Sequence, residues 1–262
     1  MNCDKDLGTR ETSHINPMVP VSFKEGIPTD FTWFCEPKKH DIREDKLIIV
    51  PDSGSDFWQR THYGFRNNNG HCLWTGRKGD FVLTTHVRYN PQHQFDQAGL
   101  VVYFTEDFWI KCSVEHEPEG AYNLGSVVTN LGYSDWATQP YFKKTVDMEF
   151  MIKHVKQDFE IYCREYGEER WRQMRITRLE LPVNTVFHVG VYACSPKEGG
   201  FEAVFESLSI DNLVVNSNTL FTLDVYSHFR FISFVMESNR AYPLELEIIS
   251  FSRFSSIAAT HR

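Results

Sequence analysis

Trp109, Lys111, Ser113 and Glu115 occupy alternate positions of one apolar/polar run, with Ile110, Cys112 and Val114 between them. On a strand this parity puts the first set on the face opposite a core. Two residues of strand span about 6.6 Å, so ring, ammonium, hydroxyl and carboxylate lie in one row. An indole on such a face offers a flat platform for a sugar ring or a cation. Gln97 and Tyr192 share this parity on neighbouring runs, and the row predicts a partly accessible binding strip. A Lys111–Glu115 ion pair is the structural alternative.

A second group is Trp58, Arg60 and His62. Arg60 suits a carboxylate or phosphate, and His62 exchanges a proton near neutrality. The same residues could form a structural cluster under a loop. In Ser134-Asp135-Trp136, Asp135 can orient a ligand hydroxyl beside a Trp136 wall, or the pair can serve as a turn cap. These ten residues (Trp58, Arg60, His62, Gln97, Trp109, Lys111, Glu115, Asp135, Trp136 and Tyr192) form the candidate binding set.

A hydrolytic alternative needs two carboxylates about 5–5.5 Å apart for retention. Glu115 with Glu117 is the candidate pair, and Glu119 continues the alternation. The run Glu115-His-Glu-Pro-Glu-Gly120 enters a Pro-Gly turn, which argues for an exposed loop at Glu117 and Glu119 and against catalysis. An open gap between Glu115 and a second carboxylate favours hydrolysis. A cation lodged against Glu115 favours binding, because a permanently ionised carboxylate is a poor general acid.

His86, His93, His116 and Asp96 show no metal-ligand spacing on one element. Gly-rich phosphate loops are absent, and Cys194-Ser195-Pro196 carries no sign of an activated nucleophile. The sequence therefore predicts no metal and no cofactor.

The elements that must position these residues are strands. The 262-residue chain is 15 % aromatic and 24 % charged, with a formal net charge of −8. Aromatics favour pleated surfaces. The acidic balance argues against nucleic acid, and Arg164, Arg170, Arg172, Arg175 and Arg178 are interleaved with glutamates as on a solvated hairpin. Period-two runs cover Phe81–Tyr89, Gln97–Phe104, Trp109–Glu115 and Phe187–Ala193. Clusters such as Asn67-Asn-Asn-Gly70 and Pro118-Glu-Gly120 separate strands. Two packed antiparallel sheets are predicted, with Leu83, Val87, Leu100, Val102, Ile110, Val114, Val189 and Val191 inside. Residues 1–20 are expected to be a poorly ordered tail, 21–215 the sandwich, and 216–262 a strand-like extension.

Cys3, Cys35, Cys72, Cys112, Cys163 and Cys194 are dispersed, and no disulfide is expected. Met1 to His14 is polar and charged, and no window has the apolar length of a membrane span. A cytoplasmic protein without membrane partners is expected.

Five segments, in order, resemble a family of unknown function, the regulation-of-enolase type. They are Asp56-Phe-Trp-Gln-Arg-Thr-His-Tyr-Gly64, Phe95-Asp-Gln-Ala-Gly-Leu100, Trp109-Ile-Lys-Cys-Ser-Val-Glu115, Tyr133-Ser-Asp-Trp136 and Val191-Tyr-Ala-Cys-Ser-Pro196. The resemblance spans about Pro28 to Ile210. It implies a concanavalin A-like lectin/glucanase jelly roll and a cytosolic setting, but no reaction. Together with the binding strip it gives a non-enzymatic module for a carbohydrate, a sugar phosphate or a protein segment, linked to regulation of enolase. The alternative is a glycan hydrolase using Glu115.

Overall fold

The computed structural model describes residues 20–117, 120–182 and 184–213, with two short strands at 234–237 and 240–243. In chain order the strands are β1 (Thr32–Phe34), β2 (Lys39–Arg43), β3 (Lys46–Val50), β4 (Phe57–Gln59), β5 (Arg66–Asn68), β6 (His71–Lys78), β7 (Phe81–Tyr89), β8 (Gln97–Thr105) and β9 (Phe108–His116). They continue as β10 (Tyr122–Asn130), β11 (Tyr133–Tyr141), β12 (Val146–Val155), β13 (Asp158–Glu165), β14 (Arg172–Arg178), β15 (Val186–Cys194), β16 (Ala203–Asn212), β17 (Phe234–Glu237) and β18 (Arg240–Pro243).

Contacts divide the chain into Met1–Leu213 and Val214–Arg262. In the second unit β17 pairs antiparallel with β18, Phe234 opposite Pro243. The expectations for the first 19 residues, and for most of 216–262, fall outside the described residues.

The first unit holds two seven-stranded antiparallel sheets. Their orders are β1-β6-β15-β8-β9-β10-β11 and β14-β13-β12-β7-β16-β3-β2. Alternation builds the layer between them. Leu83, Val87, Leu100, Val102, Ile110, Val114, Val189 and Val191 are all buried there, as the parity predicts. Arg164 to Arg178 forms the β13–β14 hairpin.

The unforeseen feature is a second core. Phe57, Trp58, Cys72, Trp74, Val101, Tyr103, Trp109, Val127, Tyr192 and Cys194 pack together on the outer face of the first sheet. What covers them is the segment from Ser53 to Gly70, folded back as the small β4–β5 sheet. This segment is a roof. Phe57 and Trp58 are adjacent in sequence and both buried, so this hairpin is apolar on both sides. Burying each ring is worth about 2–3 kcal/mol. Gly70 makes the fit possible, because a Cβ there would lie 2.2 Å from the Phe57 ring and 2.7 Å from Cys194 Sγ.

Candidate functional site

The structure divides the predicted binding set in two. Gln97, Trp109, Lys111, Glu115 and Tyr192 do share one sheet face, in register: Gln97 lies opposite Glu115, and Val101 opposite Lys111. Their expected accessibility is not found. Trp109 is 0 % exposed, Lys111 2 % and Glu115 7 %, because the roof lies on them. Parity specifies the side of a sheet on which a side chain stands; it is silent about what lies above that side.

Beneath the roof, Lys111 Nζ donates to Gln97 Oε1 at 2.7 Å, and the Tyr192 hydroxyl donates to the same oxygen at 2.9 Å. The ammonium stands 3.7 Å from Asp56 Oδ1 and 3.8 Å from Glu115 Oε1. Trp109 and Tyr192 present their rings to it, with centroids 5.9 and 5.8 Å away. The strip is therefore a buried charge cluster flanked by aromatic faces. Burial pushes the Glu115 carboxyl up to about 7; Lys111 opposes that shift, while Asp56 and Glu117 add to it. Burial likewise raises the Tyr192 hydroxyl far above its ordinary range.

This geometry disfavours the hydrolytic alternative. Glu115 has no open route to a substrate, and a lysine is lodged against it. Glu117 lies past the end of β9, where Asn123 and Gln94 hydrogen-bond its carboxyl and partial burial raises its pKa. Glu119 is outside the described residues.

Asp56, which the sequence reading did not single out as a site residue, fastens the roof. Its carboxylate accepts from the Phe57 amide at 2.8 Å and from Asn67 Nδ2 at 3.2 Å while facing Lys111. The roof's leading end is tied by Gly54 N to Ser195 O at 2.8 Å and by Ser195 N to Ser55 Oγ at 2.9 Å. Ser195 in turn donates to the buried Asp96 carboxylate at 2.8 Å. Near the other end, the Gln59 amide donates to Ser134 Oγ on β11 at 2.9 Å. Two oxygens, Gln59 Oε1 and Asn68 Oδ1, are buried without a hydrogen-bond partner. Such a group typically costs about 1–3 kcal/mol.

The second half of the predicted set meets on top of the roof. Trp58 packs edge-on against Tyr63 at 5.5 Å and against Trp136 at 6.3 Å. Tyr63 stacks on Phe65, with centroids 5.6 Å apart and planes 12° apart. Both rings are half exposed, Tyr63 at 46 % and Phe65 at 51 %, and Tyr133 is 61 % exposed. His62 stands against Tyr63 at 4.6 Å. Arg60 donates to Gly132 O at 2.6 Å and to Asp107 Oδ1 at 3.3 Å, with its guanidinium 5.6 Å above the Tyr133 ring. Arg60 and His62 both adopt left-handed backbone, φ 58° and 60°. Glu44, Leu131 and Lys156 share this conformation at other turns, so it marks the tight turn that sets Arg60 and His62. Gly132 is required opposite them: its φ is +76°, and a Cβ would lie 1.8 Å from Arg60 Nη1.

The result is an aromatic rim in which Trp136, Trp58, Tyr63 and Phe65 follow one another ring to ring and Arg60 leads on to Tyr133, with His62 and Asp107 beside them. Tyr63, Phe65 and Tyr133 were missed by the sequence reading. The available signal was their density: three aromatics fall within Trp58–Phe65, beside the Asn-rich turn.

Asp135 does not join the rim. It lies opposite Val128, an inter-sheet core residue, and pairs with Arg175 Nη2 of β14 at 2.6 Å. Its role is to clasp the two sheets, as Arg175 Nη1 also donates to the Asp135 carbonyl at 3.2 Å.

The family described as "Protein of unknown function (DUF1349)" matches residues 33–213. The Saccharomyces cerevisiae protein named Regulation of enolase protein 1 is 30 % identical over 179 residues, 68 % of this chain and 88 % of that protein. A crystal structure described as a functionally unknown protein from Saccharomyces cerevisiae superposes with a TM-score of 0.65 at 28 % identity, over 71 % of this chain and 98 % of that one. The Bacteroides ovatus xyloglucan-locus GH43B structure superposes with a TM-score of 0.60 at 14 % identity, over 78 % of this chain and 41 % of that one. At that identity the likeness establishes a shared β-sandwich fold and nothing about chemistry.

Proposed function

This chain belongs to the DUF1349 family, and from that premise we propose that it is a non-enzymatic binding and regulatory module whose aromatic rim holds a carbohydrate or sugar phosphate. The observation that carries the reading is the Tyr63–Phe65 stack, half exposed on a loop closed by Arg60 N donating to Phe65 O and anchored by Arg60 to Gly132. Flat rings held rigid lose little entropy on binding and suit the apolar face of a sugar ring. Arg60 and His62 at the border can donate to hydroxyls or to a phosphate, and Asp107 can accept from hydroxyls. The roof over Glu115, which leaves it no open route to a substrate, supports binding over hydrolysis.

The reading also extends the relative's name to this chain. The role is regulation in carbon metabolism, exerted in the cytoplasm, with the bound sugar as the signal.

A thermal-shift screen against neutral sugars, sugar phosphates and glycolytic intermediates tests this, since a ligand of the folded state raises Tm by mass action. A hit should lose its shift in the Tyr63→Ala/Phe65→Ala double variant, whose own Tm stays near wild type because both rings are half exposed. A neutral hit points to ring stacking alone, and a phosphate-dependent hit to Arg60. A shift that survives the double variant moves the site elsewhere. No shift with any class overturns the reading.

A further inference from the structure

The underside of the roof concentrates charge. Asp56 comes from the roof, and Lys111 and Glu115 come from the sheet. Lys111 and Glu115 are buried, and Asp56 keeps only a small part of its side chain in water. With Glu115 protonated, one cation faces one anion. With Glu115 ionised, one cation faces two anions and the cluster carries a net negative charge in a dry site, which is costly.

Around Glu115 stand Lys111 on its own strand and Glu117 just beyond it. Gln97 lies opposite on β8 and Asn123 opposite on β10. Asp56 faces it from the roof, and the Tyr192 hydroxyl from β15. Among the described residues Lys111 is the cation within ion-pair distance. The roof also covers the unpartnered Gln59 Oε1 and Asn68 Oδ1, so opening returns two oxygens to water.

We propose that Asp56, Lys111 and Glu115 form a proton-sensitive latch that holds the roof down while Glu115 is neutral, slackens when Glu115 ionises, and so regulates the rim the roof carries. The consequence for ligand binding rests on the rim reading above; the latch itself does not.

The direction follows from linkage. With the roof closed, Glu115 sits at about 7 against an ordinary 4.5. With the roof open and the carboxyl solvated, it returns toward the ordinary value. The closed form therefore binds more protons between those limits. Opening rises by up to about tenfold per pH unit from roughly 4.5 to 7 and levels off above.

Amide hydrogen exchange on the full chain tests the latch, comparing wild type with Glu115→Gln at each pH so that intrinsic exchange cancels. Peptides covering 57–68 should exchange within about fourfold of each other in the two proteins at pH 5. At pH 7.5 wild type should exchange at least about tenfold faster, while peptides of β12 and β13 change less. Asp56→Asn removes one of the anions that raise Glu115 but leaves the carboxyl buried, so its roof should loosen less steeply than wild type as pH rises. A wild-type to Glu115→Gln ratio that is flat from pH 5 to 7.5 overturns the latch. So does the same ratio in β12 and β13, which makes the effect global. An Asp56→Asn protein that keeps the wild-type response also overturns it, and decides the matter alone if Glu115→Gln fails to fold. If the roof responds as described but ligand affinity ignores the Tyr63→Ala/Phe65→Ala change, the latch stands and the rim reading fails.

Discussion

Trp109→Ala separates a buried second core from an open binding strip. Trp109 is fully buried, its ring 5.6 Å from Phe57 and its Nε1 donating to Glu106 O at 3.1 Å. Truncation removes the contacts of an indole and leaves a cavity that the flanking Phe57, Val127 and Tyr192 cannot fill without shifting the roof. Large aromatic-to-alanine changes in cores cost about 3–5 kcal/mol. At about 2–4 °C per kcal/mol for a domain of this size, Tm should fall by roughly 6–20 °C. The assay is thermal and urea unfolding followed by circular dichroism, with Tyr63→Ala as the exposed-ring control, expected to stay within about 1 kcal/mol of wild type. A Trp109→Ala protein melting within about 2 °C of wild type refutes the roofed core. The indole would then stand in solvent.

Three other outcomes follow from the same geometry. Because Glu115 is raised in the folded protein, its stabilising neutral form is fully present below about pH 4.5 and lost as pH climbs to about 7; urea unfolding at pH 5 and 7.5 should show Glu115→Gln gaining on wild type by about 1–3 kcal/mol at the higher pH. Gly132→Ala combines left-handed backbone with a clash against Arg60, so it should lower Tm by several degrees and speed exchange at the roof tip, more than Gly76→Ala, where a Cβ meets only a side-chain methyl at 3.5 Å. Native alkylation should label exposed Cys35 quickly and spare buried Cys72, Cys112, Cys163 and Cys194, whose thiols burial raises; unfolding without reductant should then release them as free thiols, and a disulfide-linked pair would contradict this.

The sandwich was legible because its signal is local. Ile110, Cys112 and Val114 alternate with Trp109, Lys111 and Ser113, and a period of two can be satisfied only by a strand with two unlike faces. The same alternation placed Lys111 and Glu115 on one face, with their pairing as the alternative to an open strip. It could not show the roof, because the contact of Asp56 with Lys111 joins residues far apart in sequence and owes nothing to periodicity. Phe57 and Trp58 carried the one available hint: successive aromatics with both faces apolar require burial from above and below. Asp135 was misplaced for a related reason. Its strand lies at a sheet edge, where the inward position is open enough for a charge, and Arg175 of the facing sheet supplies the partner.

Hydroxyl-radical footprinting with mass spectrometry tests the central claim most directly, because side-chain oxidation reports solvent access ring by ring. Tyr63, Phe65 and Tyr133 should be oxidised readily in the native protein, while Trp109 and Tyr192 stay protected until the chain unfolds. A sugar or sugar phosphate found in the thermal-shift screen should then protect the first group and leave the second unchanged. Oxidation of Trp109 at the rate of Tyr63, or ligand protection confined to residues away from the rim, would contradict the account.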